Sequence, residues 1–277
     1  MTSITALRNA DELAPEIQPL VHVFGKDCHI LCDTEARGHA TPENMSPFDL
    51  ALHASLGFIP LWEKGTVLRW RFQERALRLF ADSSGMTNTI RDLLGEAVLA
   101  WGDALPVKFT EDDDLWDFEI VVRNANNCNA VGACVLASAF FPDGGRHELV
   151  VYPRLFDQSR KEQVDTFIHE IGHVFGLRHF FANVSETSWP VELFGVHNRF
   201  TIMNYGADSE LTHHDKEDLK RLYEAAWSGA LTDINGTPIR LVKPYHASGV
   251  SAEKMMAISQ IETSFVQQPT VAPAAGK

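Results

Sequence analysis

The chain has 277 residues, of which 45% are hydrophobic, and this is enough apolar material for one large domain or two small ones with a packed core. Its 37 acidic residues outnumber its 24 basic residues and give a formal charge of -13, which disfavours binding to nucleic acid or to an anionic membrane surface. There is no run of about 18 apolar residues and no basic segment followed by an apolar block, so the sequence predicts neither a membrane span nor a signal peptide.

Without a recognisable signal peptide the default compartment is the cytoplasm, while export by another route stays open. The cysteines agree with this default, because they are too few for a disulfide scaffold in a chain of this length. We therefore expect reduced thiols at Cys28, Cys32, Cys128 and Cys134.

Residues 1–60 show no sustained hydrophobic period. Several prolines interrupt regular structure there, at positions Pro15, Pro19, Pro42 and Pro47. We interpret this stretch as an N-terminal extension or a prosegment that forms only short elements.

From residue 61 the pattern becomes regular. Leu68, Trp70 and Phe72 occupy alternate positions, which predicts a strand with one buried face. An amphipathic helix capped by Thr87 or Asn88 is predicted next, from the helical spacing of Ile90, Leu93, Leu94, Ala97, Val98 and Trp101. Three strands should follow, the last two separated by a PDGG turn, at residues 118–123, 131–141 and 148–152.

Two more helices and a hairpin complete the predicted order. Ser159 and Glu162 form a capping box ahead of a long apolar stripe, and Thr212 is the cap expected for a helix over residues 213–227. Asn235-Gly236 lies between two short runs rich in strand-forming residues, which is a hairpin signal. Residues 230–277 are therefore predicted to form a C-terminal hairpin and a disordered tail.

The most specific pattern is HEIGHVFGLRH, at residues 169–179. His169 and His173 are four residues apart, so a helix presents both imidazoles to one ion. Glu170 is offset by one position, which suits a general base for an attacking water. Gly176 lets the chain leave the helix sharply, and His179 is then the candidate third ligand. The alternative is an ordinary half-buried helix that carries histidines, but each further fixed residue makes that reading less probable.

These residues resemble the HExxHxxGxxH zinc signature of the metzincin metalloendopeptidases. Met203, in TIMNYG, lies where that family has a methionine turn beneath the metal, in a structural role. The resemblance implies an α+β fold over residues 61–229. It also implies a twisted, mostly parallel sheet with an antiparallel edge strand, an active-site helix, a C-terminal helix after the methionine turn, and one catalytic zinc ion.

The subfamily features are mixed. VLASAFFPDGG resembles the edge strand and turn of the matrixins, but Ser138 stands where they usually have a histidine of a structural zinc site. Tyr205 resembles the tyrosine of astacins and serralysins that stabilises the transition state. Phe180 stands where astacins have a glutamate. The resemblance therefore supports the superfamily and leaves the subfamily and a second zinc open.

Two other candidate features are weaker. Cys28 or Asp33, in the N-terminal stretch, could occupy the fourth zinc position and keep an enzyme latent, but the local sequence does not match such a motif. The acidic run at residues 111–117 could bind calcium, although it lacks the interspersed glycines of calcium loops, and a solvated loop is favoured.

The sequence thus predicts a zinc endopeptidase that acts on proteins or peptides. The predicted ligands are His169, His173 and His179, with Glu170 as base and Tyr205 as oxyanion donor. An extended substrate would pair with residues 135–139, and a wall at residues 197–208 would set preference. Two alternatives stay open: a zinc hydrolase of non-peptide amides or esters, and a catalytically silent zinc protein.

Overall fold

The computed structural model describes residues 30–31, 50–53, 57–129, 132–179, 191–194, 201–203 and 209–248. Several candidates lie outside the described residues: Tyr205, Cys28, Cys32, Asp33 and Phe180. The predicted C-terminal tail beyond residue 248 also lies outside them, as does most of the predicted wall at residues 197–208.

A five-stranded sheet forms the centre of the fold, in the order β5-β4-β6-β10-β9. Its strands are β4 (Val67–Phe72), β5 (Lys108–Glu111), β6 (Phe118–Val122), β9 (Ala137–Ser138) and β10 (His147–Val151). All pairings are parallel except the one between β9 and β10. The mostly parallel sheet with an antiparallel edge strand is therefore as predicted, and the buried face of β4 consists of the expected Leu68, Trp70 and Phe72.

The strand predicted for residues 131–141 is wrong in its extent. It is divided into β8 (Cys134–Val135) and β9, because the chain changes its pairing partner at Leu136. β8 pairs with β7 (Asn127–Cys128) and β1 (Ile30–Leu31) in a separate three-stranded sheet. β9 pairs with β10 in the five-stranded sheet.

Four α-helices are present in the described residues: α1 (Glu74–Leu77), α2 (Ser83–Trp101), α3 (Arg160–Val174) and α4 (His213–Trp227). Short 3-10 turns occupy Gly102–Ala104, Pro153–Asp157 and Tyr245–Ala247. Helices α2 and α3 pack on each other, and α3 also lies against the edge strand β9. The motif helix is therefore held between a second helix and the rim of the sheet.

The predicted cap of α2 is wrong, because the helix begins earlier. Asp82 is the N-cap, and its carboxylate accepts a hydrogen bond from the Gly85 N–H. Thr87 lies one turn inside the helix, where its hydroxyl donates to the Ser84 carbonyl. The predicted caps of α3 and α4 are confirmed, since Ser159 with Glu162 and Thr212 with Asp215 form complete capping boxes.

The C-terminal hairpin is also confirmed. β12 (Asp233–Ile234) pairs antiparallel with β13 (Thr237–Val242), and Asn235 and Gly236 have the positive φ values, 51° and 87°, that a two-residue hairpin turn requires. β13 then pairs in parallel with β3 (Ile59–Trp62). The division of the chain at residues 60 and 229 stays a prediction, and this pairing joins elements on both sides of it.

The N-terminal stretch contributes short strands. β1 runs parallel to β8, next to the predicted substrate edge, and β2 (Leu50–His53) pairs antiparallel with β11 (Val191–Phe194). Within the parts of the chain that the structure describes, no helix is both long and apolar enough to cross a membrane.

The expectation of reduced thiols is wrong for one pair of cysteines. Cys128 and Cys134 face each other across β7 and β8, with Cα atoms 4.0 Å apart, and their sulfurs form a disulfide. An antiparallel pairing that brings two cysteines opposite each other places them within bridging distance. The spacing of the two residues in the sequence does not show this register.

Candidate metal centre

Three buried imidazoles converge at the end of α3. His169 and His173 come from the last two turns of the helix, and His179 follows the helix terminus. Their exposed fractions are 3%, 0% and 0% respectively. One ring nitrogen from each histidine lies within 4.8 Å of the others, and this is the only such group of potential ligands among the described residues.

The conformation of the helix end brings His179 to the other two. Gly176 has a φ of +91°, its N–H bonds to the His173 carbonyl, and the Leu177 N–H bonds to the Gly172 carbonyl. This pair of hydrogen bonds is a Schellman motif with glycine at the left-handed position, as the sequence predicts. The chain therefore reverses within a few residues of His173.

Main-chain carbonyls fix the tautomers of two histidines. Nδ1 of His169 lies 2.8 Å from the Ile202 carbonyl oxygen, and Nδ1 of His173 lies 2.7 Å from the Leu177 carbonyl oxygen. Because a carbonyl oxygen only accepts, each Nδ1 carries the proton, and each Nε2 presents a lone pair. Partners of this kind on the remote ring nitrogen are typical of histidines that bind metals.

The two Nε2 atoms are 3.1 Å apart. With both protons on Nδ1, neither Nε2 can donate, so this short approach is not a hydrogen bond but a contact between two lone pairs. A shared cation converts the repulsion into attraction. Two nitrogens bound at 2.0–2.1 Å in a tetrahedral zinc site are separated by roughly 3.3 Å, so the residues present fit zinc.

The electrostatics keep the imidazoles neutral. Burial, with a smaller effect of the neighbouring His179, lowers the pKa of His169 from 6.5 to about 3. Burial also lowers the pKa of His173 well below its ordinary value, with smaller effects of His169, His179 and the buried Arg178. Neutral imidazole is the form that binds a metal. His169 and His173 are therefore in the metal-binding form in the absence of an ion.

Side chains from distant parts of the chain hold the end of α3. The Trp62 indole donates to the Val174 carbonyl at 2.7 Å, and the Tyr223 hydroxyl donates to the Phe175 carbonyl at 3.0 Å. These carbonyls belong to the last turn, where no further helical N–H is available. The Trp101 indole donates to the Ile168 carbonyl, nearly two turns earlier in the helix.

Met203 lies directly beneath the motif helix. It is 2% exposed, and a Cβ atom added to Gly172 would lie 2.5 Å from its Sδ. The sequence identified Met203 as structural but did not identify Gly172 as its counterpart. The available signal was a glycine inside a strongly predicted helix, which costs about 1 kcal/mol relative to alanine and so indicates a packing reason.

The remaining predicted site residues have different outcomes. Glu170 lies between the two helical histidines in sequence and is 1% exposed. Ser138 is fully buried in β9, and no second cluster of potential metal ligands occurs among the described residues. In the acidic run, Asp112 accepts backbone hydrogen bonds and pairs with Arg69, and buried Asp117 accepts from His246. These carboxylates have structural partners.

One aromatic neighbour of the centre is not predicted from the sequence. The Phe141 ring lies edge-on to His173, with centroids 5.4 Å apart. Phe141 belongs to the segment after β9, so the predicted substrate edge and the metal centre are adjacent.

Comparison with known proteins gives no family assignment. No family model matches the chain, and no curated protein matches it. Among solved structures, one of myroilysin has a TM-score of 0.40 at 13% identity and covers 62% of this chain and 98% of that chain. A second myroilysin structure has a TM-score of 0.38 at 13% identity, with coverages of 59% and 85%.

A third solved structure is that of high choriolytic enzyme 1, a hatching enzyme zinc-protease from Oryzias latipes (medaka fish). It has a TM-score of 0.36 at 13% identity and covers 67% of this chain and 99% of that chain. Similarity at this level identifies neither family nor function, so a functional proposal depends on the metal centre itself.

We expect Gly172→Ala to lower the free energy of unfolding by about 1–2 kcal/mol, because the clash with Met203 outweighs the better helix propensity of alanine. Gly95→Ala in α2 is the matched control, since a Cβ there meets nothing within 4 Å. The control should raise stability by about 0.5–1 kcal/mol. Urea unfolding of both variants measures the difference, and equal stabilisation by the two substitutions would contradict the packing of Met203 beneath Gly172.

The metal-free protein should lose stability as the pH falls below about 6.5. There the unfolded chain binds protons at its histidines, while His169, with a folded-state pKa of about 3, stays neutral. The free energy of unfolding should fall by up to about 1.4 kcal/mol per pH unit for each such histidine. Urea unfolding of chelator-treated protein between pH 7 and pH 5 measures this slope.

His173→Gln should reduce the slope, because it removes one of the buried histidines that stay neutral in the folded protein. An unchanged slope in His173→Gln would show that His173 protonates normally in the folded protein.

Proposed function

We propose that the chain is a zinc-dependent endopeptidase of the metzincin type. The observation that carries the proposal is the convergence of three buried imidazoles, two of which have their Nδ1 protons bound to main-chain carbonyls. Three nitrogen ligands from the protein leave one position open, and an open position distinguishes a catalytic zinc site from a structural one. The short turn of residues 201–203 beneath the helix, with Met203, further supports the metzincin type.

The proposed chemistry assigns a separate role to each side chain. His169, His173 and His179 would hold zinc, which would supply a Lewis acid and a nucleophilic water at neutral pH. Glu170 accepts the proton of that water during attack on the scissile carbonyl and delivers it to the leaving amine. Tyr205 donates a hydrogen bond to the developing oxyanion. Burial of the centre excludes bulk water and strengthens each of these electrostatic interactions.

The proposed substrate is an extended peptide that adds a strand at the rim of the sheet. β9 ends the five-stranded sheet and lies against α3, close to the metal centre. Backbone hydrogen bonds to a rim strand fix the orientation of a peptide without selecting its sequence. Because β1 pairs with Cys134 and Val135, the contact should centre on residues 137–139. A wall at residues 197–208 stays a prediction.

The role of residues 1–60 and the compartment also stay proposals. Ile30–Leu31 pairs with β8 and Leu50–His53 pairs with β11, and we propose that residues 1–60 are a prosegment or a structural extension. The Cys128–Cys134 disulfide favours export over the cytoplasm, because reducing compartments keep exposed thiols reduced.

The main experiment uses the full chain purified with zinc supplied, and incubates it with a denatured proteome with and without chelator. New termini are mapped by mass spectrometry, and zinc is measured by elemental analysis. Chelator-sensitive cleavage and about one zinc per chain support the proposal. Hydrolysis of small amides or esters alone would favour the non-peptide hydrolase, and bound zinc without any turnover would favour the silent protein.

Glu170→Gln should retain zinc and fold but lose hydrolysis by several orders of magnitude, because the amide keeps the shape and cannot accept the proton. Glu217→Gln, at an exposed position of α4, is the control and should keep activity. Near-normal turnover in Glu170→Gln would exclude the mechanism. Loss of zinc together with activity would instead make Glu170 a ligand.

Tyr205→Phe should lower kcat by roughly a hundredfold to a thousandfold with little change in KM, because it deletes one oxyanion donor and keeps the ring. Tyr245→Phe is the matched control, since the Tyr245 ring packs against the Arg146 guanidinium and has no proposed part in the reaction. Peptide hydrolysis kinetics with confirmed zinc content measure both variants. An unchanged kcat in Tyr205→Phe would assign oxyanion stabilisation to the metal alone.

A further inference from the structure

A continuous series of hydrogen bonds begins at a proposed metal ligand and ends at a buried carboxylate. Nδ1 of His169 donates to the Ile202 carbonyl at 2.8 Å. The N–H of the same peptide unit, on Met203, donates to the Thr201 hydroxyl at 3.3 Å. That hydroxyl donates to Oδ1 of Asp215 at the start of α4. Every donor in the series points toward Asp215.

Asp215 ends this series as a buried hydrogen-bond acceptor. It is 5% exposed, and both of its oxygens accept hydrogen bonds. Oδ1 accepts from Thr201, while Oδ2 accepts from the main-chain N–H of Thr212 at 2.8 Å and from the Thr212 hydroxyl at 2.8 Å. Burial raises the pKa of Asp215 above its ordinary value, and the hydrogen bonds from Thr201 and Thr212 oppose this rise. All of these interactions suit an ionised carboxylate as acceptor.

The direction of the series has an electrostatic consequence. A carboxylate that polarises a hydroxyl, then a peptide unit, then an imidazole N–H makes the remote Nε2 a better electron-pair donor. In many metal sites a carboxylate contacts the ligating histidine directly. Here a threonine hydroxyl and one peptide unit stand between the two groups.

We propose that Asp215 is a positioning residue for the metal centre, acting through Thr201 and the peptide unit between Ile202 and Met203 to orient His169 and strengthen its bond to the metal. The inference rests on the metal site of the proposed function but not on proteolysis. The turn at residues 201–203 would then orient His169 through hydrogen bonds, in addition to packing Met203 beneath the helix.

The competing explanation is that Asp215 only caps α4. Asp215 and Thr212 form the capping box of that helix, so a substitution at Asp215 alone would lower stability in either case. Thr201 separates the two explanations, because it belongs to the series and not to the capping box. Thr212 provides the opposite control, because it belongs to the capping box and not to the series.

The experiment measures the zinc dissociation constant by competition with a chelator, and the unfolding of each metal-free variant in urea. Thr201→Val and Asp215→Asn should weaken zinc binding by about tenfold or more, as loss of an outer partner of a ligand does. Thr201→Ser keeps the hydroxyl and should restore affinity close to that of the wild type. Thr212→Val should cost about 1 kcal/mol of stability with unchanged zinc affinity.

Zinc binding as tight in Thr201→Val as in the wild type would overturn the inference. So would a loss of affinity in Thr212→Val equal to that in Thr201→Val, since stability would then explain both. A wild type that binds no zinc would overturn the inference together with the proposed function. A wild type that binds zinc and hydrolyses no peptide would remove only the proposed function, and the comparison of variants would still decide the role of Asp215.

Discussion

The hydrogen bonds from Nδ1 of His169 and His173 to main-chain carbonyls are the interactions on which the site depends. They select one tautomer for each ring and direct the lone pairs of the two Nε2 atoms toward each other. These two nitrogens are 3.1 Å apart. Neither carbonyl is part of regular helix bonding, because one belongs to the turn after α3 and the other to the turn at residues 201–203. The geometry of these two turns therefore decides whether the histidines are ligands or ordinary core residues.

Both turns depend on the core of the protein. The turn after α3 requires the left-handed conformation of Gly176, and side chains from β3 and α4 satisfy the carbonyls beside it. The turn at residues 201–203 is fixed by packing beneath Gly172 and by bonds to Asp215. A buried site assembled from several distant segments forms only when those segments have docked, so we expect the metal centre to be as cooperative as the fold itself.

Local patterns were predictable from the sequence, whereas long-range pairings were not. Helical spacing and the glycine at residue 176 were sufficient to predict that His169, His173 and His179 converge, and Ser159 and Thr212 were correctly predicted as caps. Three predictions failed because each depends on which strand or turn lies next to the residue in space. They concern the cap of α2, the strand interruption at Leu136 and the Cys128–Cys134 disulfide. The contact between Thr201 and Asp215 likewise spans two elements, and no periodicity indicates it.

The parallel pairing of β13 with β3 sets the minimum length of the folded unit. All four residues of β3 are buried, and its Trp62 receives a hydrogen bond from Trp227 and donates one to the helix that carries the histidines. A shortened chain that stopped at the end of α4 would lack β13 and would leave one edge of the apolar strand β3 without its backbone partner. An exposed apolar strand edge promotes edge-to-edge aggregation. Expression of the region that carries the three histidines in soluble form should therefore require the chain to continue at least through Val242.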